Sequence, residues 1–272
     1  MSRMDGKICV VSGSTQGLGA AIARRLAGGG AAAVVTTGRN EAKGRAGAEV
    51  LARDTGVPVH FVRADLASVD DCRTVIAETD RLFGAVHVLV NAGALTDRGT
   101  ILDTSPELFD ALFATNVRGP YFLMQEALKL MIRDSIAGAI VNIGSISELA
   151  GQPFINAYCA SKGALSTLTR NTAFSVMKNR IRVNQLNVGW MSSDHEREIQ
   201  LAESGDPDWE SKAAAALPFG RLVDPDEAAR AVNFLVSDDA GLMTGSVVNY
   251  DQTVWGAAAR GMPVPDAALQ LP

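Results

Sequence analysis

The stretch from Lys7 to Ala27, K-I-C-V-V-S-G-S-T-Q-G-L-G-A-A-I-A-R-R-L-A, decides the fold of this chain. Its first six residues are mostly apolar and rich in β-branched side chains, which predicts a buried strand that ends before Gly13. From Gly17 to Ala27 a leucine or isoleucine recurs every four residues, which predicts a helix packed along one face. The stretch is therefore a strand that passes through a glycine-rich turn into a helix.

Three glycines occupy the turn between this strand and this helix, in the spacing G-x3-G-x-G rather than the commoner G-x-G-x-x-G. Glycine lets backbone N–H groups approach a pyrophosphate at the positive end of the helix. Any tight strand-to-helix turn also favours glycine, so a purely structural role stays open. The predicted cofactor contacts in this loop are Gly13, Ser14, Thr15, Gln16, Gly17, Leu18 and Gly19.

The alternation of strand and helix continues along the chain. Further strands are predicted at Ala32–Thr37, Pro58–Arg63, Val86–Val90, Ala139–Ile143, Ile181–Leu186 and Val247–Tyr250. Predicted helices separate them at Glu41–Asp54, Val69–Phe83, about 105–133, about 157–177 and about 224–236. This pattern predicts an α/β fold, with one Rossmann-like, doubly wound parallel β-sheet of about seven strands flanked by helices. We expect one domain over residues 1–256 and a tail at 257–272.

A polar segment interrupts the alternation after the sixth predicted strand. Residues 196–210 read E-R-E-I-Q-L-A-E-S-G-D-P-D-W-E, which predicts two short helices outside the sheet. An insertion at the carboxyl edge of a parallel sheet is well placed to close over a ligand. We therefore expect a small helical substrate lid at about residues 190–218.

Ser145, Tyr158 and Lys162 are brought together by the predicted elements. Tyr158 and Lys162 are four residues apart, so they lie on the same face of a helix. Ser145 follows the predicted fifth strand, at the edge where open α/β sheets bind ligands. The convergence indicates a functional site. The structural alternative is a tyrosine packed on a lysine stem, with a serine in a turn.

Composition and charge narrow the possible partners. The 272 residues carry a net charge of −5, which argues against a nucleic-acid partner, and 47% of them are hydrophobic, enough for a large core. Three scattered cysteines predict a reducing compartment, and three separate histidines predict no metal site. No signal-peptide core or membrane-spanning run is evident, so we expect a cytoplasmic protein without a membrane partner.

Five motifs in order resemble the short-chain dehydrogenase/reductase family over about residues 5–256. The family's T-G-x-x-x-G-x-G is similar to S-G-S-T-Q-G-L-G at 12–19, and its Y-x-x-x-K falls on Tyr158 and Lys162. Its N-A-G falls on 91–93, and V-G-W-M-S-S at 188–193 is similar to its P-G-x-V-x-T. Its catalytic serine and helix asparagine fall on Ser145 and Asn116.

The resemblance implies an NAD(P)-dependent oxidoreductase that moves a hydride between nicotinamide and a secondary alcohol or ketone. It implies Tyr158 as general acid or base, with its pKa lowered by Lys162, Ser145 bound to the substrate oxygen, and Asn116 holding a water. The catalytic set is Asn116, Ser145, Tyr158 and Lys162. Beyond the glycine loop, the implied cofactor contacts are Arg39, Asp65, Leu66, Asn91, Ala92, Gly93, Tyr158, Lys162, Gly189, Met191 and Ser193.

The substrate is less constrained than the chemistry. Glu148 and Gln152 follow Ser145 on its loop, and His195 opens the lid. Together with Ser145 they form a candidate substrate set that suits a sugar or polyol, and D-Q-T-V-W-G-A in the tail loosely resembles sugar dehydrogenases of the family. A 3-oxoacyl-type substrate and plain solvated loop residues are the alternatives.

The end of the second strand bears on the choice of nicotinamide cofactor. NAD-binding folds place an acid there to accept from the ribose 2′-hydroxyl. This chain has Gly38 followed by Arg39, which favours the 2′-phosphate of NADP. Two residues keep NAD as the alternative. Gln16 occupies a loop position that is often basic in relatives that prefer NADP, and the acidic Glu41 is nearby.

Assembly and two competing functions complete the expectations. Relatives are commonly tetramers, and Leu108, Leu112, Phe122 and Leu123 offer apolar surface on the long helix, which predicts a homotetramer or homodimer. A catalytically silent dinucleotide-binding regulator on the same fold is the alternative function. Sugar epimerases share Y-x-x-x-K, but usually on longer chains with different glycine spacing.

Overall fold

Seven parallel strands form the central sheet of the computed structural model, which describes residues 4–149 and 151–254. The strands lie in the order β3-β2-β1-β4-β5-β6-β7, which reverses between β1 and β4. A crevice opens at such a reversal, outside the carboxyl ends of the strands. The predicted doubly wound α/β fold is confirmed. The strands are β1 (Ile8–Ser12), β2 (Ala33–Gly38), β3 (Val59–Arg63), β4 (Val88–Asn91), β5 (Ala139–Ser145), β6 (Arg182–Val188) and β7 (Val247–Tyr250).

Helices cover both faces of the sheet. They are α1 (Gly17–Gly28), α2 (Glu41–Thr55), α3 (Val69–Phe83), α4 (Pro106–Phe113), α5 (Gly119–Arg133), α6 (Asn156–Val176), α7 (Asp194–Ser204), α8 (Trp209–Ala216) and α9 (Pro225–Val236). One core cluster joins α1 and α9 to the sheet, and a second joins α3, α5 and α6 to its other face. Burial on both faces explains why the strands are almost continuously apolar.

Side-chain caps fix where several of these helices begin. Ser68 accepts a hydrogen bond of 3.2 Å from the backbone N–H of Asp71 at the start of α3. Ser105 and Asp224 accept in the same way from the backbone three residues ahead. Each such cap typically stabilises a helix by about 1 kcal/mol. These caps confirm the three helix starts that the sequence indicated.

The long helix predicted at about 105–133 is interrupted. Residues Ala114–Arg118 form a π-helical turn between α4 and α5. Pro120 has no N–H to donate to the carbonyl of Asn116, so α-helical bonding cannot continue through this turn. The interruption places Asn116 inside the π turn, beside the carboxyl edge of the sheet.

Two of the four residues predicted to give this helix a free apolar surface lie in the core instead. Leu112 is 1% exposed, and Leu123 is 0% exposed as part of the core cluster beneath α5. Leu108 and Phe122 stay partly exposed, and Phe109, Tyr121 and Ile132 are exposed on the same two helices. The apolar surface of α4 and α5 is therefore made only in part by the residues that the sequence indicated.

The segment after β6 contains the two helices that the sequence predicted, α7 and α8. Its base is held by the rings of Trp190 and Trp209, whose centroids are 6.1 Å apart, and by a hydrogen bond from Ser192 to Glu210. The tail at 257–272 lies outside the described residues. No helix in the described part of the chain is long and apolar enough to cross a membrane.

Candidate active site

Strand β5 carries Ser145 to the carboxyl edge of the sheet. The strand continues two residues beyond its predicted end, because Ser145 still pairs with Val188 of β6. The Ser145 hydroxyl donates to the Ser147 hydroxyl at 2.9 Å and accepts from the Ser147 backbone N–H at 3.1 Å. Ser147, which the sequence analysis did not single out, thus fixes the orientation of Ser145.

Helix α6 aligns Tyr158 and Lys162 on one face beside Ser145. The Lys162 ammonium lies 5.6 Å from the centre of the Tyr158 ring and donates to the carbonyl of Ile143 at 2.9 Å. Lys162 is only 3% exposed, which is unusual for a lysine. The Ser145 side chain lies close enough to Tyr158 to lower the pKa of the Tyr158 phenol. The structure therefore brings the predicted serine, tyrosine and lysine together.

Burial dominates the electrostatics of this cluster. It lowers the pKa of Lys162 from 10.5 to about 8, while the charge of Glu148 acts in the opposite direction. It raises the pKa of Tyr158 from 10.0 to about 12, partly opposed by the neighbouring Ser145 side chain. The expected lowering of the Tyr158 pKa is thus wrong for the chain's own side chains, and Tyr158 is a protonated phenol.

Asn116 is buried and all of its side-chain groups have partners. Its Oδ1 accepts from the backbone N–H of Leu95 at 2.8 Å, and its Nδ2 donates to the Leu95 carbonyl and to the Ser161 hydroxyl. The side chain thus ties the loop after β4 to helix α6. The water that the sequence predicted here stays a prediction.

The glycine loop and the N-A-G segment pack backbone against backbone. A Cβ on Gly13, whose φ is +64°, would collide with Gly93, and a Cβ on Gly19 would collide with the Gly13 carbonyl. Ser14 anchors the loop: its hydroxyl donates to Val11 at 2.7 Å and accepts from the N–H of Thr37 at 3.0 Å. Both glycines are required because any larger residue would push the loop apart.

The remaining predicted cofactor residues reach the same edge. The Ser12 hydroxyl accepts from the N–H groups of Ala92 and Gly93, so it holds the N-A-G segment beside β1. Leu66 follows Asp65 at the end of β3 and lies against Gly93. In the loop after β6, Gly189 donates to Tyr250, Met191 pairs with Val223, and Ser193 caps α7.

Two observations fit a dinucleotide in this crevice. Gly13 and Gly19 let the backbone of the loop lie close against the N-A-G segment, and Gly17, with φ +53°, carries the chain into α1. Asn91 Oδ1 is buried without a hydrogen-bond partner among the described residues, so it can accept from a bound group. A phosphate at the N-terminus of α1 would meet free backbone N–H groups.

The structure places the predicted substrate residues in different surroundings. Glu148 does not face the crevice, because its carboxylate accepts from Gln185 and Ser166 beneath α6. Gln152 Oε1 is buried and has no partner within the described part of the chain. The side chain of His195 lies outside the described residues. Of the two residues whose side chains are described, Gln152 retains an argument for substrate contact, and the role of His195 stays a prediction.

A set of contacts around the crevice was not predicted. The loop 94–104 pairs with 151–155 through a bridge between Gly99 and Ile155. Arg98 lies over the ring of Phe154 at 5.3 Å and pairs with Glu203 of α7 at 2.8 Å. We call residues 94–104, 151–155 and 190–218 the substrate rim. An arginine in an irregular loop carries no local sequence signal for such contacts.

Comparison with known proteins places this geometry in a family. A family model described as enoyl-(acyl carrier protein) reductase matches residues 13–253. A solved short chain dehydrogenase/reductase family protein is 35% identical, with a TM-score of 0.79 over 92% of this chain and 97% of that one. The chain belongs to the short-chain dehydrogenase/reductase family. It is an NAD(P)-dependent oxidoreductase, as the motifs implied.

Two further members of the short-chain dehydrogenase/reductase family are similar over nearly the whole chain. A sorbitol dehydrogenase of Cereibacter sphaeroides is 30% identical over 93% of this chain and 99% of its own length. The crystal structure of L-sorbose reductase from Gluconobacter frateurii, complexed with NADPH and L-sorbose, has a TM-score of 0.88 at 26% identity. It covers 94% of this chain and 99% of that one.

Proposed function

We propose that this enzyme interconverts a secondary hydroxyl and a ketone on a sugar or polyol, with NADP as its cofactor. The observation that carries the chemistry is the cluster of the buried Ser145 and Lys162 with the half-buried Tyr158 at the carboxyl edge of the sheet. The partnerless Gln152 Oε1 supports a hydroxylated substrate, since it can accept from a substrate hydroxyl. Sorbitol and L-sorbose relatives support the same class.

In this mechanism the chain supplies the proton and the orientation. The glycine loop and the N-A-G segment would hold a nicotinamide cofactor, which would supply or take up the hydride at the carbinol carbon. In reduction, Tyr158 donates its phenol proton to the carbonyl oxygen, while Ser145 holds that oxygen by a hydrogen bond. Lys162 stabilises the phenolate that remains, and the same groups act in reverse in oxidation. Asn116 keeps α6 in register through Ser161.

Two observations support NADP over NAD. A side chain on Gly38 would lie 2.5 Å from the Thr15 methyl group, so the acid that usually selects NAD is sterically excluded. The nearby Glu41 is engaged by Arg45 at 2.7 Å. With no acid at position 38 and Glu41 paired with Arg45, no free carboxylate is left to repel a 2′-phosphate on the cofactor ribose.

Lys43 is a cation at this site that the sequence analysis missed. Its ammonium donates to Gln16 Oε1 at 2.6 Å, which brings it to the glycine loop beside a cavity of about 410 Å³. Arg39 is exposed and stands at the end of β2. We propose that Arg39 and Lys43 together bind the 2′-phosphate, with Gln16 positioning Lys43.

The cofactor proposal is tested by affinity and by rate. The dissociation constants of NADP and NAD and the kcat/KM with each are measured for wild type, Arg39→Ala, Lys43→Ala and Arg24→Ala. Arg24 is the matched control, since it lines the same cavity but lies near Asp226. We expect the first two variants to lose about 10-fold or more with NADP only. A wild-type preference for NAD would refute the proposal.

The substrate proposal is tested by following absorbance at 340 nm with a substrate panel. Polyols, ketoses, steroids and 3-oxoacyl thioesters are offered with each cofactor. We expect the highest kcat/KM on a polyol or ketose. A preference for 3-oxoacyl thioesters would overturn the substrate class and leave the chemistry intact. Cofactor binding without turnover on any member would favour the silent regulator.

We further propose a homotetramer or homodimer joined through α4 and α5. Phe109 stacks on Phe113 with ring centroids 4.6 Å apart, and Phe109 and Tyr121 are both nearly half exposed. A shallow cavity of about 590 Å³ is lined by Phe113 and Tyr121. Exposed aromatic side chains next to a groove are typical of protein interfaces. A monomer in light scattering at micromolar concentration would contradict this.

A further inference from the structure

Glu148 accepts two hydrogen bonds, one with each carboxylate oxygen. It belongs to the short 3-10 turn Ile146–Leu149 that follows β5. Its Oε2 accepts from Gln185 Nε2 at 2.9 Å, and its Oε1 accepts from the Ser166 hydroxyl at 3.3 Å. A glutamine amide has one acceptor oxygen and could accept from only one of these donors. The carboxylate therefore satisfies both donors and also places a negative charge against this face of α6.

The carboxylate faces the same side of α6 as the catalytic lysine. Ser166 follows Lys162 by four residues, so both project from one face, about 5.4 Å apart along the helix. Arg170 is one further turn along and donates to the Ser166 hydroxyl at 3.0 Å. Glu148 thus meets α6 one turn beyond a lysine that is almost completely removed from water.

The surroundings hold the carboxylate in this position. Gln185 and Asn187 are fully buried and hydrogen-bonded to each other at 2.8 Å. A Cβ on Gly144 would collide with Asn187 and Gln185, so β5 has no side chain where these amides lie. Thr169 also bonds Gln185, at 3.1 Å. This buried network fixes Gln185 and, through it, Glu148.

We propose that Glu148 is a positioning residue for Lys162, whose carboxylate keeps that lysine in the ammonium form used in catalysis. The proposal rests on the proposed proton transfer through Tyr158. The charged or titratable groups near the pair are Arg170 on α6, Tyr158 and Glu196, which acts on Tyr158 from α7. In support, burial lowers the pKa of Lys162 to about 8 and Glu148 raises it.

The test separates the charge of Glu148 from its hydrogen bonds. Glu148→Gln removes the charge and can keep only one of the two hydrogen bonds, while Ser166→Ala removes one of those hydrogen bonds and keeps the charge. Melting temperatures are measured from pH 6 to 10.5 for each variant, with and without Lys162→Met. Lys162→Met changes the melting temperature by an amount that depends on pH. The pH at which this change in melting temperature begins to shrink reports the pKa of Lys162 in the folded protein. This readout needs neither substrate nor cofactor.

We expect Glu148→Gln to move that pH down by about one unit and Ser166→Ala to leave it unchanged. The alkaline fall of kcat/KM should move in the same direction in Glu148→Gln. An unchanged pH in Glu148→Gln, or an equal shift in both variants, would overturn the proposal. If the melting temperatures shift as expected but the enzyme turns over no substrate of the panel, the proposed function fails and the role of Glu148 toward Lys162 stands.

A variant that folds poorly still decides the question. If Glu148→Gln is unstable because it leaves a buried ammonium without its charge partner, then adding Lys162→Met should restore the melting temperature. If it is unstable because the turn has lost its anchor, the second substitution should not help. Failure of Lys162→Met to rescue would therefore refute the electrostatic role.

Discussion

The cofactor crevice and the substrate rim are built in different ways. In the crevice, backbone packs on backbone: Gly13 lies against Gly93, and Gly19 lies against the Gly13 carbonyl. In the rim, side chains from distant segments meet, as when Arg98 contacts Phe154 and Glu203. A backbone-built site tolerates almost no substitution, whereas a side-chain-built site can change its residues one at a time. The difference separates what binds the cofactor from what selects the substrate.

A methyl group added in the crevice should have the largest effect on cofactor binding. Gly19→Ala should weaken NADP binding by about 100-fold or more, since its Cβ would push the Gly13 carbonyl away from the loop. Gly163→Ala on α6 is the control, because a Cβ there meets nothing within 4 Å. It should leave affinity unchanged and increase stability by roughly 0.5–1 kcal/mol. Equal affinities in the two variants would contradict a backbone-built site.

A polar truncation in the rim should have a smaller effect that is specific to the substrate. We expect Gln152→Ala to raise KM or lower kcat/KM on the best polyol about 10-fold, as a lost buried hydrogen bond would. The dissociation constant of NADP should stay the same. If kinetics show an unchanged kcat/KM on every hydroxylated substrate, Gln152 does not contact substrate.

The Arg98–Glu203 pair should have a weaker effect still. The pair is partly exposed, and such pairs contribute about 1 kcal/mol or less. Arg98→Ala and Glu203→Gln should each change kcat/KM a few-fold, and the double variant should lose no more than the larger single loss. If the loss of kcat/KM in the double variant equals the two single losses combined, Arg98 and Glu203 act independently.

Lys162 lies between the two regions, and its burial should lower stability at neutral pH. Its pKa falls from 10.5 when unfolded to about 8 when folded, so the charged form is less favourable in the folded protein. The resulting loss of folding stability is complete below pH 8, shrinks as the pH rises and disappears near pH 10.5. Lys162→Met should therefore raise the melting temperature by a few degrees at pH 7, with a smaller gain at pH 10. A gain that does not depend on pH would exclude this cause.

The sequence predicted the crevice more fully than the rim, for a physical reason. Glycine spacing and the i,i+4 relation of Tyr158 and Lys162 are local, so they are visible without the fold. The engagement of Asn116 with Leu95 depends on a π turn that a proline enforces four residues later. Glu148 looked like a substrate residue because it follows Ser145, but the 3-10 turn directs it beneath α6.

The pairing of Lys43 with Gln16 shows the same limit. The two residues are 27 positions apart, and only the packing of α2 beside the glycine loop brings them together. The one available signal was a cation in the first turn of the helix after β2. Charge near a known ligand edge is informative, but its partner has to be located in three dimensions.

Tyr158→Phe tests the central claim most directly, because it removes one hydroxyl and almost no volume. Affinity for NADP is measured by fluorescence titration, and turnover on the best substrate is measured at 340 nm. We predict an NADP dissociation constant within about two-fold of wild type and a kcat at least about 100-fold lower. A variant that keeps more than about a tenth of the wild-type rate would contradict Tyr158 as the general acid and base of this enzyme.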